Sequence, residues 1–89
     1  MLTLDQIEDG STVRKRAGAF CVLEPVGADL SVLLGDRELT MPVWLEPAMQ
    51  RIIERDRLKV AELGDYLDRP GRMVLVRRLI VEGLLEVVE

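Results

Sequence analysis

The side chains that usually do chemistry are scarce in this chain. Among its 89 residues there is no histidine, and Cys21 is the only cysteine. Zinc sites and facial-triad iron sites therefore lack their usual ligands. Serine–histidine and cysteine–histidine nucleophile pairs cannot be assembled either. Sixteen carboxylate side chains are present, but they are scattered. A chain this short rarely encloses the pocket of roughly a few hundred Å³ that catalysis uses. The expectation is a protein that is not an enzyme, with no catalytic residue, no metal and no cofactor.

Two clusters of positive charge remain. Arg69, Arg72, Arg77 and Arg78 fall on or beside one helical stretch, with no acid between Arg69 and Val81. In a helix-turn-helix protein such a helix enters the major groove, where arginines read guanine or hold phosphates. The net charge of −4 disfavours nucleic acid, whose affinity for proteins comes largely from phosphate neutralisation. The second cluster, Arg14-Lys15-Arg16, reads as charge guarding an edge strand against aggregation. Cys21 is expected to be inert core packing, Trp44 a lid on the core or, if exposed, a binding hot spot, and Tyr66 a partly buried packing residue.

Hydrophobic spacing gives the elements that must carry these groups. Thr3 to Asp9 suits one helical turn, with Thr3 and Gln6 at capping-box spacing and Leu4 and Ile7 on one face. Val13 to Glu24 reads as a strand with an interruption at Ala17-Gly18. Pro25 to Ala28 is a turn, Asp29 to Leu34 a second strand, Gly35-Asp36 a tight turn, and Arg37 to Met41 a third strand. Pairing Glu24 with Asp29 sets Leu23 against Leu30, Cys21 against Val32 and Ala19 against Leu34. Closing the second hairpin at Gly35-Asp36 sets Val32 against Leu39 and Leu30 against Met41. All of these are apolar and share a face, an agreement that a one-residue slip would destroy. The other face carries Ser31, Glu38 and Thr40, but also Phe20, Val22 and Leu33. That apolar patch calls for a cover, either Leu4 and Ile7 or a second copy of the chain.

Beyond Pro42 the period becomes helical. Leu45, Ala48, Met49, Ile52 and Ile53 mark a first helix ending near Arg55, with Pro47 in its first turn. After a link at Asp56 to Lys59, a second helix spans Val60 to Leu67. Asp68 caps a third, with Pro70 in its first turn and Leu75, Val76, Leu79 and Ile80 as its buried stripe. Gly83 ends that helix, and Leu84 to Val88 forms a last strand. The fold class is α+β. One domain over residues 1–89 comprises a three-stranded antiparallel meander (12–41) and a winged-helix-like three-helix bundle with a C-terminal strand (43–89). The longest apolar run, Ala19 to Leu23, has five residues, against about 20 for a membrane-spanning helix. Met1-Leu2-Thr3-Leu4-Asp5 is not a secretory signal, and the single cysteine suits a reducing compartment. The expected location is the cytoplasm.

Two families share this plan. Gly35 to Pro42, Val60-Ala61-Glu62-Leu63 and Leu75 to Leu85 resemble the C-terminal winged-helix domain of bacterial JmjC/cupin-type (ribosomal oxygenase-like) proteins. Their catalytic jelly roll has no counterpart here, so this resemblance implies only an appended module. The order of three strands followed by three helices is also similar to that of PqqD-like peptide-recognition domains (RiPP recognition elements), which bind a leader peptide as an added strand.

The functional expectation is a non-catalytic binding module for a protein or peptide, monomeric or a homodimer. Alternatives are an accessory oxygenase domain and a DNA-binding regulator that uses the third helix. An extended peptide would pair with Arg37, Leu39 and Met41 of the third strand. It would lie against Arg72, Val76, Arg77, Leu79 and Ile80 of the third helix, with the arginines favouring an acidic peptide. The rival expectation for that edge is occupation by Leu84 to Val88.

Overall fold

A computed structural model describes residues 7–35 and 37–88. Thr3 to Gln6, Leu4 and Asp36 lie outside them, and with them most of the expected N-terminal turn. The described residues build two three-stranded antiparallel sheets, two α-helices and two 3₁₀ segments. The α+β class holds, while the meander and the three-helix bundle need correction.

The expected first strand is two strands in different sheets. β1 (Thr12–Lys15) ends at a tight turn, closed by the Ala19 N–H donating to the Arg16 carbonyl at 2.9 Å. Gly18 sits there at φ 79°, a left-handed conformation that costs glycine little. The chain then starts β2 (Val22–Val26) in the second sheet, followed by β3 (Asp29–Leu33) and β4 (Glu38–Pro42), in the order β2-β3-β4. The meander therefore begins at Val22 and not at residue 12. The β3–β4 register is the expected one, with Val32 opposite Leu39 and Leu30 opposite Met41.

The β2–β3 register is two residues from expectation, since Val26 and not Glu24 lies opposite Asp29. Only Gly27 and Ala28 form the loop. Gly27 occupies its first central position at φ 62°, where tight hairpins of one common type require glycine. Pro25 is accommodated because β2 is an edge strand. An even shift leaves every side chain on its face. Leu30, Val32 and Leu39 are accordingly buried, with Ala19, Cys21, Leu23, Leu34 and Met41 packed against the core.

β4 leads through a 3₁₀ turn (Val43–Leu45) into α1 (Glu46–Glu54), which has Pro47 in its first turn and buries Ala48, Met49 and Ile52. The expected link after α1 contains β5 (Arg57–Lys59), whose Leu58 is buried opposite Val13 of β1. The expected second helix is a 3₁₀ segment (Val60–Asp65) that still buries Val60 and Leu63. The Glu62 carboxylate accepts from the Lys59 N–H at 2.8 Å and fixes its start. Gly64 within the segment lowers the preference for continuing as an α-helix.

α2 (Arg69–Val81) starts as expected, the Asp68 carboxylate accepting from the Gly71 N–H at 2.9 Å. It ends with Gly83 at φ 87°, the Leu84 N–H donating to the Leu79 carbonyl at 2.9 Å and the Gly83 N–H to the Ile80 carbonyl at 3.1 Å. This bond pair is a Schellman cap, and it turns the chain sharply into the next strand.

That strand, β6 (Leu85–Val88), pairs with β1 and gives the order β5-β1-β6. Arg14-Lys15-Arg16 therefore does not guard an edge, because β1 is a central strand. Arg14 reaches Glu86 across the ladder at 3.0 Å, and Lys15 Nζ donates to the Ile53 carbonyl at 2.7 Å. One cluster of buried aliphatic side chains joins both sheets and the helices. No helix among the described residues is long and apolar enough to cross a membrane.

Candidate functional site: a groove between β4 and α2

β4 is the outer strand of its sheet, and no strand among the described residues pairs with its far side. Which of its peptide groups point outward follows from two hydrogen bonds. The Leu34 N–H donates to the Arg37 carbonyl at 2.7 Å, and the Val43 N–H to the Ala28 carbonyl at 2.9 Å. Bonded and non-bonded pairs alternate along an antiparallel ladder, so Val32–Leu39 and Leu30–Met41 are the bonded pairs between them. The N–H and C=O groups of Glu38 and Thr40 therefore point away from β3, toward the unpaired edge.

Facing that edge is a groove of about 570 Å³. Leu39 and Met41 line it from β4, with Leu45 and Leu67 from the segments that follow β4 and precede α2. The opposite wall is Pro70, Gly71, Val74, Leu75 and Arg78 of α2. Pro70, Val74 and Arg78 recur every four residues and so lie along one line of the helix. Trp44 and Val74 stand in this lining at 64% and 66% exposure. Two large apolar side chains are thus left in water within one concave surface, outside the core. Although the chain is short, it forms a depression of the size that ligand sites use.

The ends of the groove differ. Arg37, immediately before β4, donates to Glu82 at 3.1 Å, and Glu82 also lies 3.7 Å from Arg78. This contact fixes the start of β4 beside the end of α2, so the two walls run in opposite directions. Trp44, beyond the end of β4, and Pro70, at the start of α2, belong to the other end. One end is basic and the other apolar.

Of the expected binding residues, Leu39 and Met41 line the groove, and Arg37 stands at its basic end. The helix residues need correction. Val76 and Leu79 are fully buried in the core, and Ile80 packs against it. Arg72 is turned away, donating to both Asp9 oxygens at 3.0 and 2.9 Å and to the Leu67 carbonyl at 3.0 Å. Arg77 is partly buried, with Nε unpartnered among the described residues. The stripe of Leu75, Val76 and Leu79 is the inner face of α2, and the groove takes the neighbouring ridge. Val74 is the signal that could have shown this, since a valine outside the buried stripe serves no core. Trp44 is exposed, contrary to the expected lid, and Tyr66 at 39% is exposed as well.

The back of the meander holds the other expected patch. Phe20 is 57% and Val22 41% exposed, with Leu33 half-buried opposite Val22. Ile7 does not cover this patch but joins the main core, and Leu4 lies outside the described residues. Cys21 is half-buried, and burial pushes its thiol pKa above the ordinary value while Lys15 pulls it the other way. This suits packing and not reactivity.

Comparison with models of known protein families gives no match, and comparison with curated proteins gives none either.

Proposed function

We propose that the protein is a non-catalytic binding module that takes up an extended protein or peptide segment as a fourth strand on β4. The observation that carries this reading is the unpaired edge of β4 opening onto an apolar groove with Trp44 and Val74 exposed in it. An added strand satisfies the outward peptide groups of Glu38 and Thr40, and its alternate side chains enter the groove. Main-chain bonds supply affinity with little sequence demand, and the α2 wall selects. The rival occupant of this edge, the C-terminal strand, is engaged on β1 instead. The similarity in element order to PqqD-like peptide-recognition domains supports the same reading. The order α1, 3₁₀ segment, α2 and strand supports a winged-helix-type architecture for the bundle.

Nucleic acid is the weaker candidate. Arg69, Arg72 and Arg78 of α2 each have a carboxylate within 4 Å, from Asp9 or Glu82, which lowers the potential they present to phosphates. The test is an amide-shift titration of isotope-labelled protein, first with an extended peptide of alternating valine and threonine, then with duplex DNA. The reading expects shifts in Glu38, Thr40, Trp44 and Val74 with the peptide. Shifts along α2 with DNA alone, none in β4 with peptide, would overturn it.

A further inference from the structure

We infer that the groove reads the direction and charge of its ligand: the bound strand runs antiparallel to β4, with apolar side chains toward its N-terminal end and a carboxylate toward its C-terminal end. This rests on the strand-addition reading above and deepens it. At the basic end, among the described residues, one carboxylate, Glu82, serves two guanidinium groups, Arg37 at 3.1 Å and Arg78 at 3.7 Å, one more positive charge than negative in that contact. Among the described residues Glu38 is the one acid lining the groove, and the Ser31 hydroxyl donates to it at 2.6 Å on the back face of the sheet. A ligand carboxylate therefore finds its best partner beside Arg78.

Direction follows from strand pairing. Antiparallel pairs are slightly more stable per residue and commoner than parallel ones. β4 runs from the basic end toward Trp44, so an antiparallel ligand enters at Trp44 and leaves at Arg78. Side chains alternate, so ligand residues opposite Met41, Leu39 and Arg37 share the groove face in that order. The recognised pattern is then apolar, any, apolar, any, acidic. The first apolar side chain meets Trp44 and Val74, and the carboxylate meets Arg78 and Arg37. A parallel ligand would need the reverse order.

Three capped peptides separate these possibilities: Leu-Thr-Val-Thr-Glu, its reversal Glu-Thr-Val-Thr-Leu, and Leu-Thr-Val-Thr-Lys. Binding is read from the fluorescence of Trp44, the one tryptophan in the chain, and from protection of the Glu38 and Thr40 amides. The first peptide is expected to bind about fivefold more tightly than either of the others, the scale of one exposed ion pair. Arg78→Glu should invert the preference between the glutamate and lysine peptides, and Arg78→Gln should abolish it. Equal binding of all three with Thr40 protected in each would overturn the directional reading and leave strand addition standing. Tighter binding of the reversed peptide would assign a parallel strand and overturn it too. If no peptide protects Glu38 or Thr40, strand addition fails and this inference with it.

Discussion

Arg72 grips Asp9 through two parallel hydrogen bonds, Nε to Oδ1 at 3.0 Å and Nη2 to Oδ2 at 2.9 Å. The side chain is 13% exposed and also donates to the Leu67 carbonyl. One residue thus ties the segment before β1 to the start of α2. Arg72→Ala is expected to lower stability by about 1–2 kcal/mol through lost charge-assisted bonds. Chemical denaturation measures this, and peptide affinity should be unchanged. A loss of affinity without a loss of stability would place Arg72 in the site after all.

Trp44 and Val74 should show the opposite separation. Both are mostly in water, so Trp44→Ala and Val74→Ala should change stability by no more than about 0.5 kcal/mol. An aromatic anchor at a binding surface is typically worth about 2 kcal/mol or more. Peptide affinity should therefore fall roughly 30-fold for Trp44→Ala. Denaturation midpoints and calorimetric titration give the two numbers, and a large stability loss with intact binding would make Trp44 a packing residue.

Leu79 is fully buried, and its truncation should act on folding. Leu79→Ala is expected to cost about 2–5 kcal/mol, the range for a buried leucine. A small cost measured by denaturation would mean that α2 does not seat this face on the core.

What the sequence revealed and what it concealed divides by the range of the interaction. Local signals were legible: Asp68 before Pro70, Gly83 after α2, and Gly35 between β3 and β4 all specify their own geometry. The face of the meander was legible too, because alternation survives the two-residue error at Gly27. The partner of β1 was not. Thr12 to Lys15 could run on into Val22 to Val26 as one strand, or turn away at Gly18 and pair across the chain with Arg57 to Lys59 and Leu85 to Val88. Only the choice between distant partners, made by the whole core, decides. β5 was lost for a related reason, since three residues carry too little pattern to announce a strand. In the site, the β4 half was readable as an open edge. The α2 half was misassigned because apolar residues occupy two adjoining faces, and periodicity alone does not say which one the core takes.

The Cys21 thiol gives a pH signature. Burial raises its pKa above that of an ordinary thiol, so the folded state disfavours the thiolate more than the unfolded state does. Stability contributed by the neutral thiol is present in full below the unfolded thiol's pKa and is lost as pH rises through the raised folded value. Cys21→Ser should flatten that alkaline loss in denaturation midpoints measured across the window. Alkylation at neutral pH should be slow in the folded protein, and rapid alkylation there would contradict a packed, neutral thiol.

β4 offers an unpaired edge among the described residues, with the Glu38 and Thr40 peptide groups turned outward. Residue-resolved hydrogen exchange on the isolated protein reads this edge amide by amide. Alternation is expected, with the Leu39 and Met41 amides protected by β3 and the Glu38 and Thr40 amides exchanging fast. Glu38 and Thr40 should slow down when Leu-Thr-Val-Thr-Glu is added. Protection of all four amides in the isolated protein, with no change on adding the peptide, would mean that the edge is already occupied and would rule out strand addition on β4.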